Sequence, residues 1–133
     1  MADLFVLAFL GHLVGDFLLQ PKWMALEKSS RSWRGDFACT AHVAIYTAVV
    51  CTFMGSANLW VAALIAIPHW IIDRWSLAST WLWFIGGRTF AAAKASEDGN
   101  REFDVAFTCI VYTFTDSALH FLSLWAVIQY VMV

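Results

Sequence analysis

The chain has 133 residues, 61% of them hydrophobic and only 14% charged, with a formal net charge of −2. Soluble domains carry about 25% charged and 45–50% apolar residues. The composition therefore excludes an ordinary soluble domain and points to a membrane protein forming one domain over residues 1–133. The small net charge says nothing about partners, but its distribution along the chain does.

The first apolar segment, about residues 3–20, holds "LFVLAFLGHLVGDFLLQ", with His12 and Asp16 four residues apart. It lacks a basic leader and a small-residue cleavage site, and it reads as a mature membrane helix rather than a signal peptide. Further apolar segments follow at about 37–55, 58–85 and 104–132. Each approaches or exceeds the roughly 20 residues a helix needs to cross a bilayer. Pro68, inside the third, predicts a bend or local unwinding there. "RTFAAAKA", after Gly86–Gly87, predicts a short interfacial helix.

Seven of the eight basic residues fall in two connections, 21–36 and 86–103, and the eighth, Arg74, lies in the span that precedes the second. With four spans these connections share one side. The positive-inside rule then makes them cytoplasmic and sets both termini outside. Trp23, Trp33, Trp75, Trp81 and Trp83 lie near that boundary and Trp60 and Trp125 near the other, as headgroup-seeking indoles would. The expected fold is an all-α polytopic bundle of four transmembrane helices.

Each of the four histidines occupies a different apolar segment. His12 precedes Asp16 by four residues, His69 precedes Asp73 by four, and Asp116 precedes His120 by four. His42 stands four residues before Tyr46. Residues i and i+4 share a helix face, so three helices can each present an imidazole and a carboxylate to a common interior. An Asp at a helix centre costs about 2.5–3.5 kcal/mol to insert, so such residues mark functional sites by default. Four His and three Asp are the N and O donors favoured by zinc and other first-row metals. His12, Asp16, His42, His69, Asp73, Asp116 and His120 are thus candidate ligands for one or two divalent ions, most simply zinc. Asp16, Asp73 and Asp116 divide between ligation and general-base duty. The alternative is a polar seam joining helices by hydrogen bonds alone.

Several smaller features carry weaker signals. Gly11 and Gly15 form a G-x-x-x-G that suits close packing within the bundle or a homo-oligomer seam. Cys39 lies three residues before His42, and the three cysteines form no metal motif, which fits apolar core roles. Thr113 and Ser123 extend the Asp116/His120 face, where bonding to their own helix backbone is the ordinary role. Lys28, Arg31 and Arg34 orient the protein or meet anionic headgroups. There is no phosphate-binding loop and no soluble nucleic-acid-binding module, so no nucleic acid is expected as a partner.

"GHLVGDFLLQPKWMALEKS", "AHVAIYT", "PHWIID" and "DSALHFLSL", in that order, resemble a small bacterial and phage membrane family, domain of unknown function 3307. His12, Asp16, Gln20, His42, His69, Asp73, Asp116 and His120 match its polar positions. The resemblance implies an integral membrane protein, here of the bacterial inner membrane, and little about activity. A looser likeness, in residue types and spacing only, is to membrane-bound metal-dependent hydrolases. The leading expectation is an intramembrane metal-dependent hydrolase acting on a lipid or membrane peptide. A divalent-metal or proton carrier and a scaffold with a structural metal are the alternatives.

Overall fold

The computed structural model describes residues 2–96 and 99–131. Met132, the last residue of the expected fourth span, and residues 97 and 98 of the second charged connection lie outside the described residues. Helix α1 (Ala2–Leu13) runs on into a π-helical turn, Val14–Leu18. Then follow α2 (Lys22–Glu27), α3 (Trp33–Met54), α4 (Leu59–Arg74), α5 (Leu77–Gly86), α6 (Phe90–Ala95) and α7 (Arg101–Val131). Among the described residues there is no strand, as the all-α expectation requires.

Local chemistry sets most of the boundaries. The side chains of Ser32, Asn58 and Thr89 each accept a backbone N–H at the starts of α3, α4 and α6, satisfying donors a helix start leaves free. Gly55, at φ 65°, closes α3 in the left-handed conformation that glycine adopts without strain. The short helix expected after Gly86–Gly87 forms as α6. Helix α2 was not expected, because its six residues lie inside a stretch that reads as a charged connection. The bend of the third segment is also displaced from its expected place. Helix α4 continues through Pro68, and the chain breaks at Trp75–Ser76, where α5 leaves at 56° to α4. The physical cause is local: Ser76 stands at φ 47°, ψ 52°, a left-handed conformation that no helix can continue through.

Helices α1, α3, α4 and the C-terminal half of α7 enclose the core, which contains Ala8, Val50, Ile65, Leu124 and Ile128. Gly11 and Gly15 bring α1 onto α3. A Cβ on Gly11 would stand 2.9 Å from the Val50 Cα, and one on Gly15 would stand 2.8 Å from the Tyr46 ring. Both glycines are buried in that seam. This is the close packing within the bundle expected of the G-x-x-x-G, with α3 of the same chain against both glycines.

Helix α7 overshoots this bundle. His120 approaches Asp73 at the end of α4, whereas Arg88, just past α5, lies over the Phe107 ring at 4.8 Å. The N-terminal half of α7 thus runs beside α5 and α6, beyond the end of α4. Helices α3 and α7 are each long and apolar enough to cross a membrane, and the bent pair α4–α5 makes a third if counted as one span. The first segment adds 12 α-helical and 5 π-helical residues. Seven of the eight tryptophans, all but Trp70, are exposed, so their indoles do not fill the core.

Candidate metal centre

All four histidines and two of the three matched aspartates converge where α1, α3, α4 and α7 meet, and Asp116 stands at the edge. His12, His42, His69 and His120 are each at most 1% exposed. The Asp16, Asp73 and Asp116 side chains are 9%, 1% and 19% exposed.

Each helix positions its donors differently. In α4 the i+4 spacing sets His69 Nε2 3.1 Å from Asp73 Oδ2. In α3, His42 and Tyr46 lie one turn apart and both are buried. In α7 the His120 Nδ1–H donates to the Asp116 backbone carbonyl at 2.8 Å, which leaves Nε2 as the lone-pair nitrogen facing the interior. The Asp116 carboxylate is farther, at 3.8 Å. Asp16 lies in the π-turn, a local widening that often occurs at functional sites. Its carboxylate reaches three helices' imidazoles: His12 Nδ1 at 3.4 Å, His42 Nε2 at 3.2 Å and His69 Nε2 at 3.6 Å.

The innermost geometry is a triangle. His42 Nε2 and His69 Nε2 are 3.0 Å apart, and they lie 3.2 and 3.1 Å from Asp73 Oδ2. Bonds of about 2.0–2.2 Å to a tetrahedral or octahedral ion separate neighbouring ligand atoms by about 2.8–3.6 Å. All three edges, and both Asp16 distances to these imidazoles, fall in that range. The triad His42, His69, Asp73 and the triad Asp16, His69, His120 can each hold a metal ion geometrically. Asp16 Oδ1, Asp73 Oδ1, His12 Nε2 and His120 Nε2 are buried without a hydrogen-bond partner. Buried polar atoms are rarely left so, and an ion among them is one resolution.

Three residues outside the expected ligand set join the site. The Tyr46 hydroxyl is 3.1 Å from His12 Nδ1, and its ring lies 3.7 Å, centroid to centroid, from His69. The i+4 spacing to His42 was the available signal for it. Lys28 reaches in from α2, its Nζ donating to Asp73 Oδ2 at 2.8 Å. Burial works against the Lys28 ammonium, but the Asp73 carboxylate outweighs it and holds the lysine above its ordinary pKa. Nothing in the sequence distinguishes Lys28 from its basic neighbours. Gln20, just past the π-turn, has a buried side-chain nitrogen with no acceptor. Cys39 does not join: its thiol faces the Trp70 carbonyl at 3.8 Å. Thr113 and Ser123 donate to Cys109 and His120 carbonyls of their own helix, the ordinary role expected for them.

An all-helical chain with candidate membrane spans and a buried His/Asp cluster able to hold a metal is the class that fold and site define. Within that class, residues 4–133 match the family described as Protein of unknown function (DUF3307), and the chain belongs to it. No curated protein and no solved structure matches the chain.

Proposed function

We propose that this chain is an integral membrane metalloprotein of the bacterial inner membrane that acts as a metal-dependent hydrolase. The observation that carries the reading is the triangle of His42 Nε2, His69 Nε2 and Asp73 Oδ2, with edges of 3.0–3.2 Å. Two imidazole nitrogens this close repel through their lone pairs unless a proton or a cation stands between them. With Asp16 Oδ1 beside them, these atoms suit one zinc-like divalent ion. The second triad shares His69, so the two triads act as alternatives for one ion unless the carboxylates bridge a pair. Zinc is favoured by the donor chemistry.

Four crossings suit the chain: α1 with its π-turn, α3, the α4–α5 pair and α7. In this arrangement both termini face outward and both charged connections face the cytoplasm. The Arg74–Asp36 pair, at 2.8 Å, supports it by joining the end of α4 to the start of α3. Helix α7, about 46 Å long by the helical rise, tilts or protrudes.

A bound divalent ion would activate water and polarise an ester, amide or phosphoryl oxygen. The chain's own residues have separable tasks. His42, His69, Asp73 and Asp16 would hold the ion. His120 and His12 supply further nitrogen donors or orient the carboxylates. Asp116 is the most accessible of the three aspartates and is the general base. A lipid or membrane peptide is the substrate class that a site inside apolar helices favours.

The test is metal content of the detergent-purified protein beside His42→Ala and His69→Ala, with zinc-dependent ester and phosphoester hydrolysis followed in parallel. Wild type should hold about one ion per chain and both variants close to none. Asp116→Asn should keep the metal and lose turnover by about 100-fold or more. Near-zero metal in all three proteins returns the cluster to a hydrogen-bonded seam. Metal with ion flux into proteoliposomes and no turnover favours the carrier, and metal with neither favours the scaffold.

A further inference from the structure

The π-turn, α2 and α7 line a half-open cavity of about 210 Å³ whose wall includes Asp16, Gln20, Lys28, Tyr112, Thr113 and Asp116. At about 30 Å³ per water, its volume corresponds to roughly seven waters, enough for one small polar group. Asp16 is one of the lining residues, so the cavity lies next to the residues of the four-atom ligand set. We propose that this cavity is the ligand pocket of the metal centre and that it takes an oxyanionic group, bound by Lys28 and Gln20. The inference rests on the metal reading above and goes further by naming the substrate chemistry.

Two donors make the case. The Gln20 side-chain nitrogen is buried and has no acceptor, a state that native interiors rarely leave uncorrected. Lys28 is the only cation on the wall. Its ammonium now neutralises Asp73 Oδ2, the same oxygen that closes the metal triangle. A divalent ion on that oxygen takes over the neutralisation and repels the ammonium. Lys28 then turns into the cavity it already lines, carrying a charge that needs an oxyanion.

The two acidic residues on the wall do not reverse this. Asp16 is among the metal ligands, and Asp116, whose carboxylate lies 3.8 Å from His120, is the base that acts on the bound group. The cavity also sits at the membrane-boundary end of α1, beside α2, whose Trp23 and Leu26 are exposed. An oxyanion could thus come from a lipid headgroup or from a water-soluble phosphate.

The experiment loads the detergent-purified protein with Co²⁺ and follows its visible absorption during titration with inorganic phosphate. A second arm uses vesicles of phosphatidylglycerol, with phosphatidylcholine vesicles for comparison. A saturable spectral change is expected in at least one anionic arm. A response to inorganic phosphate identifies a soluble ligand, and one confined to phosphatidylglycerol identifies a headgroup. Lys28→Met and Gln20→Leu should keep the cobalt spectrum and weaken the response about tenfold or more. If Lys28→Met fails to fold, Gln20→Leu alone decides. Cobalt binding with no response to either anion, or responses unchanged in Gln20→Leu, overturns the inference and leaves the metal site standing. Absence of cobalt binding overturns the metal reading and this inference together.

Discussion

The two ends of the molecule solve the same solvent problem differently. Where α1, α3, α4 and the second half of α7 meet, an apolar core adjoins a polar cluster: four imidazoles and the Asp73 carboxylate are almost fully buried. Where α5, α6 and the first half of α7 meet, there is almost no interior. Ala78, Ala93 and Thr108 are buried there, while Trp83, Phe84, Phe103 and Phe114 are more than 60% exposed. Both ends expose large apolar side chains, an arrangement that costs nothing where the surroundings are lipid. The difference teaches where specificity is held. The bundle fixes its helices by packing and by a polar cluster, whereas the α5–α7 end rests mainly on its apolar exterior.

The largest expected contrast between the ends concerns charge. Lys28 and Asp73 are a buried pair, with side chains 12% and 1% exposed. Removing one partner of such a pair leaves an uncompensated charge and costs about 3–5 kcal/mol. Lys28→Met should therefore strongly lower stability measured in a chelator, while Lys94→Met, on the exposed face of α6, should stay within about 0.5 kcal/mol. Zinc should narrow the Lys28→Met deficit, because the ion replaces the missing positive charge. An equal deficit with and without zinc would separate Lys28 from the metal triangle.

Packing gives the next contrast. Leu124 is 2% exposed within the core and Phe114 is 74% exposed one helix half away. Leu124→Ala should cost about 2–5 kcal/mol through lost burial and the cavity left behind. Phe114→Ala should change detergent-state stability by about 0.5 kcal/mol or less. Unfolding midpoints of the two variants in one detergent compare them directly. A large loss at Phe114 would mean that the α5–α7 end has an interior contact of its own.

Much of the bundle end was legible in the sequence. An i+4 spacing is a helix property, so the pairs His12/Asp16, His69/Asp73 and Asp116/His120 declared their shared faces before any fold was known. Four histidines on four apolar segments then suggested one interior, and the fold brings them together. Tyr46 carried the same signal through its spacing to His42. What stayed hidden depends on geometry that spacing does not encode. The π-turn at Val14–Leu18 leaves no residue signature, yet Asp16 projects from it to three imidazoles. Lys28 resembles every other basic loop residue until α2 folds it against Asp73. The break at Ser76 was obscured by Pro68, a stronger textual sign of a bend that the helix in fact absorbs.

The smallest contrast tests the glycines, and it separates helix approach from helix propensity. A methyl on Gly11 would meet the Val50 backbone at 2.9 Å, and backbone yields less readily than a flexible side-chain end. Gly11→Ala should therefore push α1 away from α3 and cost about 1–3 kcal/mol, the usual range for overpacking. Gly86, the last residue of α5, has nothing within 4 Å of an added Cβ. Alanine there gains helix propensity without a clash, so Gly86→Ala should be neutral or stabilising by up to about 1 kcal/mol. Because α1 carries His12 and Asp16, Gly11→Ala should also weaken metal binding, a readout that Gly86→Ala leaves unchanged. Metal affinity unaltered in a destabilised Gly11→Ala would mean that the four-atom ligand set tolerates movement of α1, and that Asp16 contributes little to holding the ion.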